Sequence, residues 1–156
     1  MSGLYTVQFT GVAVTAQQDF FELVAHSSKQ CRLLGFGLYQ STEVGDAQEE
    51  GLSILVKSGQ TTSGTPSTAA TPALLDPVLG ATAGFTCEIN NTTKASAGTI
   101  LTHYAYCWNV RMPLEIVYPS QWAIVFGAGR RMTIELATTP ADSITINGYA
   151  VVEEIG

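Results

Sequence analysis

The sequence predicts an all-β fold, an antiparallel β-sandwich of jelly-roll type with about ten strands and no substantial helix. Three observations carry this expectation. Apolar residues recur with period two along most of the chain, and no segment holds a 3.6-residue stripe over three turns. The alternating runs are short and are separated by turn signals at regular spacing, as in sandwiches and barrels. The connections include long crossovers, which suit a jelly roll better than an up-and-down barrel. The 156 residues are read as one domain, 1–156, with no repeat of fixed period.

The elements follow in order. Tyr5, Val7 and Phe9 alternate with Thr6, Gln8 and Thr10, a half-buried strand. Gly11 interrupts the pattern, and Val12 and Val14 resume it after a bulge. Phe20–Val24 is a second strand, close enough to pair with the first as a hairpin. Cys31–Gln40 is a third, whose glycines Gly35 and Gly37 on one face mark close approach by another element. Leu52–Val56 follows a polar loop. Residues 59–82, with Pro66, Pro72 and Pro77, read as a long irregular loop or arm. Loops beyond about 15 residues are usually functional or disordered. This one is either anchored to the core through Leu74 and Leu75 or packed on a neighbouring subunit, so its deletion is expected to leave a folded β domain.

Phe85–Ile89 is the next strand, closed by the Asn90–Thr93 turn. In Ile100–Val110 the aromatic residues Tyr104, Tyr106 and Trp108 share one face, and Leu101, His103, Ala105 and Cys107 share the other. Leu114–Tyr118 ends at Pro119, and Trp122–Phe126 is followed by Gly127–Arg130, a hairpin-turn sequence. Met132–Leu136 alternates cleanly. Ile144, Ile146 and then Tyr149, Val151 form a last strand interrupted by Gly148.

Charge sets limits on partners. Charged residues are 13% of the chain, about half the roughly 25% usual for soluble domains. The net charge is −6 and only Arg130 and Arg131 adjoin among seven basic residues. Nucleic-acid binding needs a clustered basic footprint, which is absent. No long apolar run points to a membrane. The acidic stretch Gly45–Glu50 and the pair Glu153–Glu154 read as a solvated loop and tail, and the former is weak as a calcium site. Cys31, Cys87 and Cys107 match no metal or redox spacing. They read as free thiols, with Cys87 and Cys107 buried, in a protein that folds in a reducing cytoplasm without a signal peptide.

No constellation points to catalysis. His26 falls in a turn and His103 on a strand, and no nucleophile elbow occurs. Glu88, Glu115 and Glu135 lie on strands with faces expected to see solvent, and nothing pairs two of them for glycoside hydrolysis. The chain is therefore read as a non-enzyme with no cofactor and no metal. Tyr104, Tyr106, Trp108 and Trp122 are either core and subunit interface or a stacking platform for sugars.

A β domain with so few charges must cover its sheet edges, and a permanent oligomer, commonly a trimer for viral jelly rolls, does so. The segments Gly45–Glu50, Thr61–Thr65, Thr71–Pro77, Asn90–Thr93, Pro140–Ser143 and Val152–Gly156 resemble a group of small structural proteins of tailed bacteriophage virions. The resemblance spans nearly the whole chain, lies in turn and loop segments, and supplies no catalytic residues. It implies a capsid decoration (cement) protein made in the host cytoplasm and carried on the capsid surface. Its partners would be the major capsid protein and itself, as a homotrimer. The expected contact residues are Leu4, Tyr5, Leu74, Leu75, Tyr104, Tyr106, Trp108 and Trp122, together with the N-terminal segment and the 59–82 loop. The alternative is a carbohydrate- or receptor-binding module of a tail fibre or baseplate.

Overall fold

Alternating apolar residues give each strand one oily face, and two sheets bury those faces against each other. A computed structural model describes residues 3–41, 50–76 and 81–156. Its strands are β1 (Gly3–Val14), β2 (Gln18–Val24), β3 (Gln30–Gln40), β4 (Gly51–Thr62), β5 (Thr68–Ala70) and β6 (Ala73–Leu74). Then come β7 (Thr86–Asn91), β8 (Ser96–Asn109), β9 (Leu114–Val117), β10 (Ile124–Phe126), β11 (Arg131–Leu136) and β12 (Ile144–Ile155). Twelve strands thus replace the expected ten, the additions including the short β5 and β6. The described residues include no helix, and so none long and apolar enough to cross a membrane.

The first sheet runs β6-β1-β12-β3, with β9 and β10 pairing successive parts of β3. The second runs β5-β7-β2-β11-β4-β8. Every pairing is antiparallel. Without the short β5 and β6, the order is β1-β12-β3-β9/β10 against β7-β2-β11-β4-β8, two antiparallel sheets packed as a β-sandwich. Two expected hairpins are therefore crossovers. β1 and β2 lie in different sheets, as do β10 and β11, because each strand finds its antiparallel partner across the sheet and not next in sequence.

The phase of each strand sets the core. The bulge at Gly11 is present: Phe9 pairs with Gly148 and Val12 with Ile146, and Gly11 has φ +64°. A second bulge skips Phe20, so Phe20 and Phe21 both reach Phe9, at ring separations of 5.9 and 5.2 Å. Gly148 does not interrupt β12, whose inward phase runs unbroken from Ile144 through Glu154. A Cβ at Gly148 would lie 2.7 Å from the Phe9 ring, so the glycine makes room for that ring.

Parts of the 59–82 segment join the sheets. Its first residues end β4, and β5 and β6 pair with β7 and β1. Residues 77–80 lie outside the described part. Between these strands the chain lies on the outer face of the second sheet, held by Glu22. That carboxylate is buried and accepts from Ser63 Oγ (2.9 Å), Gly64 N (2.9 Å) and Asn91 Nδ2 (2.9 Å), and pairs with Arg131 Nε. Asn91 Oδ1 in turn accepts from Ser67 N at 2.8 Å. The tail is not solvated either. Glu154 is buried and accepts from Gly84 N (2.8 Å), Phe85 N (3.0 Å) and Lys29 Nζ (2.6 Å). Cys31 and Cys87 are buried thiols, whereas Cys107 is exposed on the outer face of β8. Burial raises the Cys31 thiol to about 12, so it stays protonated.

Removing one partner of a buried, hydrogen-bonded ion pair leaves the other charge uncompensated. Glu22→Ala is expected to lower stability by about 3–5 kcal/mol in urea unfolding. Deleting 59–82 is expected to abolish cooperative unfolding, because it removes the end of β4, β5, β6 and the contacts of Glu22.

Candidate functional site

Two surfaces collect the candidate residues, and they flank one turn. The first is a groove of about 540 Å³ on the outer face of the first sheet. Alternation places Leu4 of β1, and Arg32 and Leu34 of β3, on this face, while Tyr5 and Leu33 point inward. Leu74 and Leu75 approach from β6, where Leu75 N donates to Leu4 O at 2.9 Å. Arg32 and Glu153 cross the groove as an ion pair at 3.4 Å. Asp76 and Ser120 complete the rim. Of the four leucines, Leu4 and Leu75 are exposed. Such a lining, apolar with a few fixed polar groups, suits docking of an apolar side chain from a partner.

The second surface is an open side of the sandwich. There β8 ends the second sheet, pairing among the described residues only with β4. β9 and β10 end the first sheet. Tyr104, Tyr106 and Trp108 stand opposite Val56, Ile54 and Leu52 and so face inward. Tyr104 stacks on Tyr118 at 4.9 Å, Tyr106 meets Phe36 edge-on at 6.0 Å, and the Tyr106 and Tyr118 hydroxyls are 3.0 Å apart. Burial, then the Tyr106 hydrogen bond, pushes the Tyr118 hydroxyl up, so it stays neutral. These rings close the gap between the sheets.

The β9–β10 connection follows. Trp122 N and Ala123 N donate to Pro119 O, and Tyr104 Oη donates to Trp122 O at 2.9 Å. This turn holds the Trp122 side chain outward, 65% exposed, beside a cleft of about 400 Å³ shared with His103, Tyr104 and Val125. Ser120 of the same turn borders the leucine groove, so the two surfaces adjoin.

The structure therefore divides the expected contact residues. Leu4, Leu74 and Leu75 come together in the groove, and Tyr104 and Trp122 at the open side. Tyr5 and Trp108 are core: Tyr5 packs edge-on against Phe85, and Trp108, 1% exposed, donates from Nε1 to Met112 O. Tyr106 is half-buried beneath Tyr118. Neither Tyr5 nor Trp108 is available to a partner, because each lies in the inward phase of its strand. Sequence reasoning missed Leu34, Leu101, Val117 and Val125. For the last three the signal was an absence: residues 96–109 and 116–129 contain no Asp, Glu, Lys or Arg.

The titratable groups lie elsewhere. Ser58 Oγ and His103 Nε2 are 2.7 Å apart on an exposed surface. Glu115 is also exposed and accepts from Tyr149 Oη. Glu135, expected in solvent, is buried on the outer face of the second sheet between Lys57 (2.7 Å) and Lys94 (2.9 Å). Asp19 pairs with Glu135 across β2 and β11 and accepts from Ala95 N at 2.7 Å. Glu88 shares Ser63 and Asn91 with Glu22. Among the described residues no group of three or more His, Cys, Asp or Glu is placed to hold a metal ion. Of the acidic stretch Gly45–Glu50, only Glu50 is described; it accepts from Ala141 N.

No protein-family model and no curated relative matches the chain. Among solved structures, it is similar to VP17, a capsid protein of bacteriophage P23-77. That likeness covers 99% of this chain and 97% of that one, at 10% identity and a TM-score of 0.21. It is also similar to a chain of T=1 particles derived from infectious bursal virus, over 99% of this chain and 40% of that one. There the identity is 12% and the TM-score 0.19. Scores of this size lie below those of chains that share a fold, so the likenesses carry no argument.

The Asp19 site generates a pH dependence. Burial, opposed by the Ala95 N–H and reinforced by Glu135 and Glu22 against Lys94, raises its carboxyl from 3.8 to about 7. The folded state thus holds a proton that the unfolded state releases. Its stability contribution is full below about 3.8 and is lost as pH rises through about 7. Asp19→Asn is expected to flatten this fall, measured by urea unfolding between pH 4 and pH 8, and to be more stable than the parent at pH 8.

Proposed function

We propose that the protein is a non-enzymatic structural subunit of a virion, a decoration protein that binds the outside of a phage capsid and stabilises the shell as a homotrimer. The observation that carries this reading is the distribution of exposed apolar side chains. Eight large ones are exposed among the described residues: Leu4 and Leu75 border the groove, and the other six lie between Ile100 and Val125. Exposed apolar surface gathered into patches is a mark of interaction sites. The resemblance of the loop segments to small tailed-phage virion proteins gives the partner, the major capsid protein. Contacts repeated by each copy add their strengths on a lattice, because later contacts form at high effective concentration. Binding only the assembled shell stabilises that state by mass action.

The experiment is rebinding to bare shells. The protein is expected to co-sediment with undecorated shells and to raise their temperature of disruption. Leu75→Asp and Leu4→Asp, which place a charge at exposed positions of the groove, are expected to weaken binding at least tenfold while keeping the parent's unfolding free energy within about 0.5 kcal/mol, as usual for surface substitutions. A protein that leaves shells bare at all concentrations overturns the proposal.

A second reading has its own observation. Trp122 stands exposed beside His103 and Gln121 at the rim of a cleft, an arrangement suited to stacking a sugar. It predicts glycan binding that Trp122→Ala abolishes with folding intact.

A further inference from the structure

We infer that the open side of the sandwich, formed by β8 and the turn carrying Trp122, is the surface through which copies of this chain join. The inference rests on the homotrimer proposed above and assigns that contact a place.

The first ground is the sheet edge. β8 is 14 residues long and pairs only with β4 among the described residues. Its outer side is a row of backbone donors and acceptors. Sheet edges of this kind are usually blunted by charged side chains, by proline or by brevity. β9 and β10 are short, with four and three residues and Pro119 between them. β8 is long and carries neither charge nor proline, and its ladder irregularities fall opposite Val56–Gln60, which leaves the run from Tyr104 to Asn109 regular.

The second ground is charge, and it selects the occupant. The chain carries −6, and all 20 of its charged residues lie outside 96–109 and 116–129. Two copies that meet through other surfaces bring like charges together, at a cost in free energy. Two copies that meet through these two segments bring no charged side chain of either segment into the contact, so neither segment leaves a charge desolvated and unpaired. A partner with a charged face gains nothing from this surface, because no opposite charge awaits it. The large side chains presented include three apolar ones: Leu101 is 57% exposed, Trp122 65% and Val125 49%. Tryptophan is a frequent anchor at such contacts. The leucine groove lies on the neighbouring face and stays free for the shell.

The test is solution mass by light scattering, followed on dilution, for the parent and for Leu101→Asp and Trp122→Asp. The parent is expected at three times 16.5 kDa. Each variant is expected to show a threefold fall in mass with the parent's circular dichroism. Amide hydrogen exchange of the unaltered protein gives a second readout, independent of whether a variant folds. Amides of 96–109 are expected to exchange at least tenfold faster after dilution below the dissociation midpoint. An oligomeric parent whose folded variants keep its mass, or whose 96–109 amides ignore dilution, overturns the inference and leaves the decoration reading standing. A parent monomeric in solution and on shells overturns the inference too. Failure to bind shells by an oligomer that these variants dissociate overturns the decoration reading alone.

Discussion

The carboxylate of Glu22 lies under the segment that links β4 to β5 and gathers that segment onto the second sheet. It receives Ser63, Gly64, Asn91 and Arg131 at once. Three other buried acids act in the same way. Asp19 and Glu135 hold Lys94 and Ala95 of the β7–β8 connection, and Glu154 holds Gly84 and Phe85 ahead of β7. A buried carboxylate must collect donors or cations, since an unmatched one is too costly to keep ionised. That requirement turns each acid into an anchor for backbone that no sheet ladder reaches. The connections lie where they do because these acids need their amides.

The same arrangement has a cost. Asp19 is close to Glu135 and Glu22, and one of its oxygens, Oδ1, has no hydrogen-bond partner. Burial is the main reason it keeps its proton, the nearby Glu135 and Glu22 add to it, and the second sheet's outer face thereby gains a pH-sensitive site. The first sheet is held differently. Its outer face carries the Arg32–Glu153 pair, half-exposed and therefore weak, and its cohesion comes from long β1–β12–β3 ladders.

Using scarce charges inside the fold leaves parts of the surface without any. The open side is closed by rings, Tyr104 on Tyr118 and Tyr106 against Phe36, and not by ion pairs. The Trp122 turn is fixed by Pro119 and Tyr104, so its exposed indole is held on a rigid support. Groove and open side meet at that turn, which places two apolar surfaces side by side.

Period-two alternation determined the all-β class, most strand positions, the Gly11 bulge and the grouping of Tyr104, Tyr106 and Trp108 on one face of β8, though not the direction of that face. These are local properties, written in the spacing of neighbouring residues. Alternation also separated the two fates of the aromatic residues in principle, but not which phase was inward where a bulge intervened, as at Phe20. What only the tertiary structure decided was pairing. The first two strands look like a hairpin from their spacing, yet they lie in different sheets and each pairs with distant strands. Whether Glu22, Glu135 and Glu154 were solvent-facing depended on segments 40 to 130 residues away that cover them. The leucine groove likewise joins Leu4, Leu34 and Leu75, which no local pattern relates. Pairing and covering are contacts between distant parts of the chain. Alternation gives each strand a face to bury, and the fold decides what covers it.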